Sequence, residues 1–328
     1  MCEAEAVRYI IYGPGAIGGS IGGRLAASGQ EVVVIARGAH LEALRTRGLA
    51  LWTPEEELHP PVTAVGTPAE AAPGPGDVVV LAMKSQGTEA AVIELAAVAG
   101  PDVAVVCAQN GVENERVTLR RFPRTYALCV VLPATHLEPG VVNLHIAPVS
   151  GILDVGRYPV GVDEIAERIS ADLRAASFES RAVDDVMRWK YRKLLNNLGN
   201  ALDAACGMEA RGTDLFHQAR EEARACYRAA GVASASTEED RQRRESLPPL
   251  RPAGGVEHQG SSSWQSLARG TGSIEADWLN GEIVLMGRLH GVPTPVNEAL
   301  VRIANRMARE RIIPGSLRVE DIQAEVAA

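Results

Sequence analysis

The stretch that decides the fold lies near the start of the chain and reads Val7-Arg-Tyr-Ile-Ile-Tyr12-Gly13-Pro14-Gly15-Ala16-Ile17-Gly18. The apolar run at residues 7–12 predicts a β-strand buried on both faces, and the segment after Gly15 predicts a helix over residues 16–27. Glycines at the first, third and sixth positions of the connecting turn match the G-x-G-x-x-G pattern. The order of strand, glycine turn and helix therefore predicts the first βα unit of a doubly wound α/β domain.

The glycine turn has the properties of a phosphate-binding site. Gly13 allows the tight turn, Gly15 lets the backbone approach a pyrophosphate, and Gly18 lets the helix lie against the strand. The helix N-terminus also presents backbone N–H groups to an anion. We therefore predict that the dinucleotide phosphates bind at Gly13, Pro14, Gly15, Ala16, Ile17 and Gly18. The alternative is a glycine-rich turn that binds nothing.

The end of the second predicted strand indicates which dinucleotide binds. NAD enzymes usually carry Asp or Glu there, about 20 residues after the first glycine, to bind the ribose 2′-hydroxyl. Here residues 35–38 read Ile-Ala-Arg-Gly, with no acid. The Arg37 guanidinium pairs well with a 2′-phosphate, which a carboxylate would repel. The sequence therefore predicts NADPH/NADP+ as the cofactor, with an ordinary surface arginine as the alternative.

The rest of the chain divides by its pattern. Up to residue 183, short Val/Ile/Leu-rich runs alternate with helical segments, and the runs at 141–146 and 150–155 predict antiparallel strands added at one edge of the sheet. After that point strand signals nearly vanish, and residues 234–255 predict a loop or a short solvated helix followed by a loop. We expect a Rossmann domain at 1–183 and an all-helical domain at 184–328. The remaining strands are predicted at 8–12, 31–35, 77–83, 103–107 and 126–131, and the main helices at 88–99, 184–206, 214–230, 261–291 and 296–311.

Composition narrows the classes of function. The chain has 328 residues, of which 46% are hydrophobic and 23% charged, enough for two domains with sizeable cores. The net charge of −8 argues against a nucleic-acid or anionic-membrane partner. The five cysteines are odd in number and lack C-x-x-C spacing, so neither a disulfide framework nor a metal site is expected. No apolar run is long enough to span a bilayer, and the first residues lack a basic signal-peptide start, so we expect a cytoplasmic protein.

One predicted helix gathers polar side chains. Relative to Lys193, Lys190 lies three residues before, Asn197 four after and Asn200 seven after, and these offsets share one helical face. Reduction of a ketone leaves charge on oxygen, so a donor must supply a hydrogen bond and then a proton, which lysine can do. The spacing fits this interpretation and a basic amphipathic helix with capping amides equally well.

A second polar constellation follows later in the chain. The run Ser261-Ser262-Ser263-Trp264-Gln265 offers hydroxyls to a substrate carboxylate, and Glu275 can orient a lysine or bind hydroxyls. The alternative is an N-cap serine cluster followed by an ordinary exposed helix acid. By itself this region does not distinguish a substrate-binding site from a capped surface helix.

Taken in order, these pieces resemble the ketopantoate reductase (2-dehydropantoate 2-reductase) family. The resemblance spans about residues 7–311, and its strength lies in the ordered set rather than in any one motif. The resemblance implies a Rossmann domain followed by a helical domain of the 6-phosphogluconate-dehydrogenase type. It also implies a small anionic 2-oxo acid as substrate and a role in pantothenate biosynthesis, and it is compatible with a homodimer. The motifs are Gly13–Gly18, Arg37, Lys84, Gln109-Asn110-Gly111, Lys193-Leu-Leu-Asn-Asn197, Ser261–Gln265, Glu275-Ala-Asp-Trp-Leu-Asn-Gly281 and Gly291-Val-Pro-Thr-Pro-Val-Asn297.

The resemblance implies roles for single residues at the reacting centre. Lys193 matches the catalytic lysine that protonates the substrate oxygen. Glu275 matches a glutamate near that lysine, the cofactor and the substrate. Lys84 and Asn110 match residues beside the nicotinamide end of the cofactor.

The resemblance also implies a substrate-binding set. It comprises Asn110, Asn197, Asn200 and a serine that holds the carboxylate, which is Ser262 or Ser263. The second asparagine of the family stands eight residues after the lysine, where this chain has alanine, and Asn200 is one residue short of it.

Departures near the substrate leave its identity open: besides the missing second asparagine, the family often reads Ser-Met-x-Gln-Asp where this chain reads Ser263-Trp-Gln-Ser266. Lys190 could also be confused with the catalytic lysine, although no asparagine follows it at the fourth position. We therefore hold three hypotheses: reduction of ketopantoate to pantoate, the same chemistry on another bulky oxo acid or an imine, and a non-catalytic NADP(H) sensor.

Overall fold

The structure is a computed structural model that describes residues 7–270 and 272–327. They form two compact units. The first contains residues 7–109, 113–187 and 241–258, and the second contains 110–112, 188–240, 259–270 and 272–327. Residues 241–258 thus lie in the first unit although they follow the predicted boundary. That boundary, at residue 183, stays a prediction.

The first unit is built on a sheet of seven strands in the order β11-β8-β7-β6-β1-β2-β5. All neighbours are parallel except β11, which runs antiparallel to β8 at one edge. The strand order reverses between β1 and β6, which is where open α/β sheets bind ligands. The strands of the unit are β1 (Arg8–Tyr12), β2 (Glu31–Ile35), β3 (Ala50–Trp52), β4 (Glu57–Leu58), β5 (Thr63–Val65), β6 (Val78–Leu81), β7 (Ala104–Cys107), β8 (Thr125–Val131), β9 (Ala134–Thr135), β10 (Val141–Leu144) and β11 (Ile152–Arg157).

Helices cover both faces of this sheet because successive strand residues point to opposite sides. Ile11 belongs to a core cluster with Leu25 of one helix, whereas Ile10 belongs to the other cluster with Val92 of another. The predicted doubly wound sheet is confirmed. The helices of the first half of the chain are α1 (Ala16–Ala27), α2 (Gly38–Arg47), α3 (Pro68–Ala71), α4 (Thr88–Ala96), α5 (Asn114–Leu119) and α6 (Glu164–Ala175).

The prediction of two antiparallel strands at the sheet edge is half right. β11 takes that place, but β10 pairs with β3 and β9 in a separate sheet of four strands, β4-β3-β10-β9. Val142, Asn143 and Leu144 of β10 are all buried. A short buried run specifies a strand but not its partner, since the paired residues of β3 lie about 90 positions away in the sequence.

The second unit is helical, and the predicted all-helical half of the chain is confirmed. On α13, the buried residues Val296, Leu300, Ile303 and Met307 recur at three- and four-residue steps, the pattern of a helix with one apolar face. The helices of the second half of the chain are α7 (Val186–Asn197), α8 (Gly199–Cys206), α9 (Asp214–Ala230), α10 (Thr237–Arg244), α11 (Ser262–Ala268), α12 (Asn280–His290), α13 (Pro295–Glu310) and α14 (Val319–Ala327).

The polar segment at 234–255 forms a short helix followed by a loop, as predicted, and most of its residues are exposed or half-buried, but Arg243 is buried. Helix α10 ends in the first unit, where the Arg243 side chain is 6% exposed and forms two hydrogen bonds with Asp154 of β11, at 2.9 Å from Nε and 2.8 Å from Nη2. Its Nη1 donates to Glu179 at 2.5 Å. A charged composition predicts exposed side chains. The contacts of Arg243 join residues more than sixty positions apart, so its burial could not be predicted from neighbouring residues.

Within the described ranges, no helix is long and apolar enough to cross a membrane, and no cluster of His, Cys, Asp or Glu side chains is arranged to hold a metal ion. Of the cysteines there, Cys107, Cys129 and Cys226 are buried and Cys206 is half-buried, and none forms a disulfide. Cys2 lies outside the described residues.

Candidate functional site

The predicted glycine turn joins β1 to α1 and is held by its own backbone. Gly13 has a φ of +90°, and a Cβ there would lie 2.8 Å from the Met83 backbone nitrogen. A Cβ on Gly18 would lie 2.4 Å from the Gly13 carbonyl oxygen, so both positions require glycine for packing. The turn therefore lies against residues 82–83, which follow β6 at the reversal of strand order.

Gly15 differs because no packing contact requires it to lack a side chain. Its φ is −74°, and a Cβ there would meet only the Cδ2 atom of His136 at 3.9 Å. It caps α1 without a side-chain hydrogen bond to the first helical turn. The space above Gly15 and the uncapped helix N-terminus fit a diphosphate.

This contrast gives a prediction for Gly15→Ala. The added methyl group meets no protein atom closely, so we expect the melting temperature to stay within about 2 °C of the wild-type value. The methyl group would occupy the space that the pyrophosphate needs, so the Kd for NADPH should rise by about tenfold or more. Thermal unfolding and a fluorescence titration with NADPH measure the two effects.

Gly18→Ala is the matched control, because its added Cβ meets the Gly13 carbonyl oxygen and should lower the melting temperature. Wild-type affinity for NADPH in a folded Gly15→Ala protein would contradict the proposed location of the diphosphate.

Arg37 lies two residues past β2 and caps α2. Its side chain is 66% exposed, and Nη2 donates to Glu94 Oε2 at 2.6 Å and to the Tyr12 hydroxyl at 3.0 Å. Tyr12 in turn donates to the same carboxylate oxygen at 2.5 Å. Tyr12, Arg37 and Glu94 thus form a three-residue cluster, here named the ribose-end cluster, at the carboxyl ends of β1 and β2.

The ribose-end cluster can still accept an anion. Only Nη2 of Arg37 has a partner among the described residues, so the Nε and Nη1 hydrogens remain for a phosphate. Hydrogen bonds from Tyr12 and then Arg37 hold the pKa of Glu94 below its ordinary value. Burial and the bond to Glu94 raise the pKa of Tyr12 to about 12. At neutral pH the cluster therefore contains one guanidinium, one carboxylate and one neutral phenol.

A hydrogen-bond chain fixes the turns after β6 and β7. Gln109 Nε2 donates to Thr88 Oγ1 at 3.0 Å, and Thr88 donates to Asn114 Oδ1 at 2.7 Å. Asn114 Nδ2 donates to Ser85 Oγ at 3.2 Å. Ser85 directly follows the half-buried Lys84, and Gln109 directly precedes Asn110, so the chain of hydrogen bonds anchors one neighbour of each predicted nicotinamide-end residue.

Lys193 and Asn110, predicted separately, are in direct contact in the second unit. Lys193 Nζ donates to Asn110 Oδ1 at 2.7 Å. Asn110 follows β7 by three residues, and Lys193 stands on α7. Lys190, the other lysine of this helix, is 3% exposed. The contact ties a proton-donating ammonium to an amide oxygen that can hold its orientation.

The two asparagines that follow Lys193 are placed differently. Asn200 is 7% exposed, and its Oδ1 accepts a hydrogen bond from Arg211 Nη2 at 2.7 Å. Asn197 is 9% exposed, and its side-chain amide has no hydrogen-bond partner in the described part of the chain. Asn197 therefore retains its hydrogen-bonding capacity, whereas Asn200 uses its carbonyl oxygen to bind Arg211.

The serine run begins α11, with Ser261 as its N-cap. Ser261 Oγ accepts from the Trp264 backbone nitrogen at 3.3 Å, so the capping interpretation holds for this residue. The buried Oγ of Ser262 has no hydrogen-bond partner among the described residues, and Ser263 is 2% exposed. A buried hydroxyl without a partner is uncommon and fits a site that binds a polar group.

Glu275 begins a short 3₁₀ turn (Glu275–Trp278) and is 3% exposed, so the exposed-acid alternative is wrong for it. Its charge acts on Arg269, whose pKa is lowered by burial and raised in part by Glu275. A buried carboxylate beside an arginine is a candidate for orienting a cation.

Sequence reasoning missed Tyr12 and Glu94 as partners of Arg37, and Thr88 and Asn114 as partners of Gln109. Tyr12 directly precedes the first glycine, which is a usable signal. Glu94 is one acid among several on amphipathic helices and has no distinguishing spacing.

Comparison with known proteins gives consistent matches over both halves. The family described as ketopantoate reductase PanE/ApbA matches residues 9–159, and its C-terminal counterpart matches residues 185–308. The 2-dehydropantoate 2-reductase of Mesorhizobium japonicum is 29% identical and covers 93% of this chain and 99% of its own.

Solved structures agree in fold. The PanE/ApbA family ketopantoate reductase of Ralstonia eutropha JMP134 has a TM-score of 0.77 at 28% identity, covering 93% of this chain and 99% of its own. A D-mandelate dehydrogenase complex with NADH and anilino(oxo)acetate has a TM-score of 0.78 at 21% identity, covering 93% of this chain and 100% of its own. The similarity to the D-mandelate dehydrogenase concerns the fold alone.

Proposed function

Because the chain belongs to the ketopantoate reductase family, we propose that it catalyses the NADPH-dependent reduction of 2-dehydropantoate to pantoate. The observation that carries the proposal is the 2.7 Å hydrogen bond from Lys193 Nζ to Asn110 Oδ1. It joins a proton donor to a polar residue that the family resemblance also places at the reacting centre.

Lys193 would complete the reduction at the substrate oxygen. NADPH, when bound, would supply the hydride to the carbonyl carbon. The carbonyl oxygen then gains negative charge, and the Lys193 ammonium donates a hydrogen bond and transfers a proton to it. Asn110 accepts one ammonium hydrogen and so limits the directions of the others. We assign Glu275 to the orientation of the positive charge and the substrate in the same centre.

The second unit would also hold the substrate. We assign the carboxylate to the Ser262 or Ser263 hydroxyl, and a further polar group to the amide of Asn197. The partnerless Oγ of Ser262 and the partnerless amide of Asn197 support these roles. Asn200 would contribute through its Nδ2 group, since its oxygen binds Arg211.

The first unit would hold the nucleotide. The diphosphate would bind at residues 13–18, and the 2′-phosphate would bind the Nε and Nη1 side of Arg37. Lys84 would lie near the nicotinamide end, held by the turn that Ser85 anchors. A homodimer and a cytoplasmic location stay predictions.

A direct assay tests the proposal. Purified protein should oxidise NADPH when 2-dehydropantoate is added, with a higher kcat/KM than for other 2-oxo acids in a panel. NADH should support a lower kcat/KM than NADPH. Tight binding of NADPH without turnover on any compound would instead identify a non-catalytic sensor.

A second candidate substrate is another bulky 2-oxo acid or an imine. Trp264 favours it, because this ring stands where the family often has methionine. A Cβ on Gly260 would lie 2.4 Å from Trp264 Cγ, so the indole has little room to move on that side. If 2-dehydropantoate ranks far below another compound in the panel, this candidate replaces the first.

A further inference from the structure

We infer that Glu94 is a specificity-determining residue of the nucleotide site, whose carboxylate lowers the preference of Arg37 for a 2′-phosphate over a 2′-hydroxyl. The inference rests on the proposed function, since it assumes that the ribose-end cluster receives the adenosine ribose. Glu94 lies on α4, whereas Arg37 follows β2, so no sequence pattern joins the two.

The geometry makes Glu94 part of any ligand's surroundings there. Its Oε2 lies 2.6 Å from Arg37 Nη2 and 2.5 Å from the Tyr12 hydroxyl. The Glu94 side chain is 43% exposed and that of Arg37 66%, so a ligand from solvent can reach both. A phosphate that binds the open side of Arg37 therefore comes close to a fixed carboxylate.

Charge decides the direction of the effect. A phosphate monoester carries a charge of about −1.5 to −2 at neutral pH, so the Glu94 carboxylate repels it and also neutralises part of the arginine field. A 2′-hydroxyl is neutral and donates a hydrogen bond, which a carboxylate accepts well. Glu94 thus opposes NADPH and tolerates or assists NADH.

Tyr12 keeps the carboxylate in place. Its hydroxyl donates to Glu94 and accepts from Arg37, so both charged side chains are held by one phenol. Tyr12 stands one residue before Gly13 at the end of a buried strand, which gives the cluster a rigid base. The carboxylate therefore cannot simply turn away without losing two hydrogen bonds.

Glu94→Gln separates charge from hydrogen bonding, because the amide oxygen still accepts from Tyr12 and Arg37. At low ionic strength we expect the Kd for NADPH to fall about 5- to 20-fold and that for NADH to stay within about twofold. At 0.5 M salt the gain should shrink, since exposed charges are screened. Nucleotide fluorescence titrated with the full-length protein, without substrate, gives each Kd.

Glu31→Gln is the matched control. It removes the same charge from an exposed position at the opposite end of β2, so both affinities should match the wild-type values. Melting temperatures of both variants check that the fold is kept.

Weaker or unchanged NADPH binding by Glu94→Gln, or equal tightening for both nucleotides, would overturn the inference. Such a result leaves the proposed function intact, provided that the wild-type protein still binds and oxidises NADPH. A wild-type protein that binds neither nucleotide would overturn both.

Discussion

Replacing Lys193 with alanine is expected to lower kcat for 2-dehydropantoate by about 10²- to 10⁴-fold, the range for loss of a general acid. The Kd for NADPH should stay within about threefold, because Lys193 is assigned to the substrate oxygen and not to the nucleotide phosphates. Steady-state kinetics and a binding titration measure the two quantities.

The large effect on kcat is expected because few cationic side chains of this protein can release a proton. The chain has 33 lysine and arginine residues, but only Lys84, Lys190 and Lys193 are lysines. Arginine stays protonated in proteins, so among these 33 side chains only the three lysines can release a proton. Lys190 is 3% exposed, and Lys193 is the one whose Nζ contacts Asn110.

Two further variants make the Lys193 prediction sharp. Lys193→Arg keeps the charge but cannot give up its proton readily, so kcat should remain low. Lys190→Met tests the competing lysine and should leave kcat within about tenfold of wild type if its role is structural. Partial rescue of Lys193→Ala by a small primary amine would identify the missing ammonium itself. Full activity of Lys193→Ala would remove this residue from the mechanism.

Arg243→Ala is expected to destabilise the first unit by about 3–5 kcal/mol, the usual cost of breaking a buried ion pair from one side. The side chains of Arg243 and Asp154 are 6% and 5% exposed, so water cannot replace the lost partner. Glu179 also loses its 2.5 Å contact. For a unit of this size we expect the melting temperature to fall by about 10 °C or more, measured by scanning calorimetry.

Arg241→Ala is the control on the same helix. Its side chain is 60% exposed and its ion pair with Glu245 is loose, at 3.8 Å, so the change should stay within about 0.5 kcal/mol. Asp154→Asn combined with Arg243→Ala should cost less than the sum of the two single changes, because no buried charge is then left unpaired. Additive costs would show that the pair does not act as a unit.

Local signals predicted the start of the fold well. β1, the glycine turn and α1 lie where residues 7–27 indicate, because a strand, a tight turn and a helix N-terminus each depend on neighbouring residues. The prediction for β10 names the wrong sheet, because a short run rich in Val and Leu does not specify the partner strand.

In the candidate site, too, local sequence patterns predicted some residues, whereas contacts between distant residues could not be predicted. Lys193, Asn110 and Arg37 could be proposed from motif positions, since Arg37 and Asn110 each follow a predicted strand and Lys193 lies within a predicted helix. Glu94, which neutralises part of the Arg37 charge, and Arg211, which binds Asn200, could not be predicted. Both are side-chain contacts across sequence separations of 57 and 11 residues, with no periodic pattern to reveal them.

Residues 241–258 belong to the first unit although they follow the second unit's first long segment in the sequence. This arrangement limits which hybrids between this protein and its relatives can fold. A hybrid that takes its first half from this chain and its second half from another, with a single crossover near residue 183, inherits Asp154 from one parent and its partner position from the other. Unless the donor also has arginine there, the hybrid carries a buried unpaired carboxylate. Functional hybrids should therefore come from exchanges that move residues 241–258 together with the segment that contains Asp154.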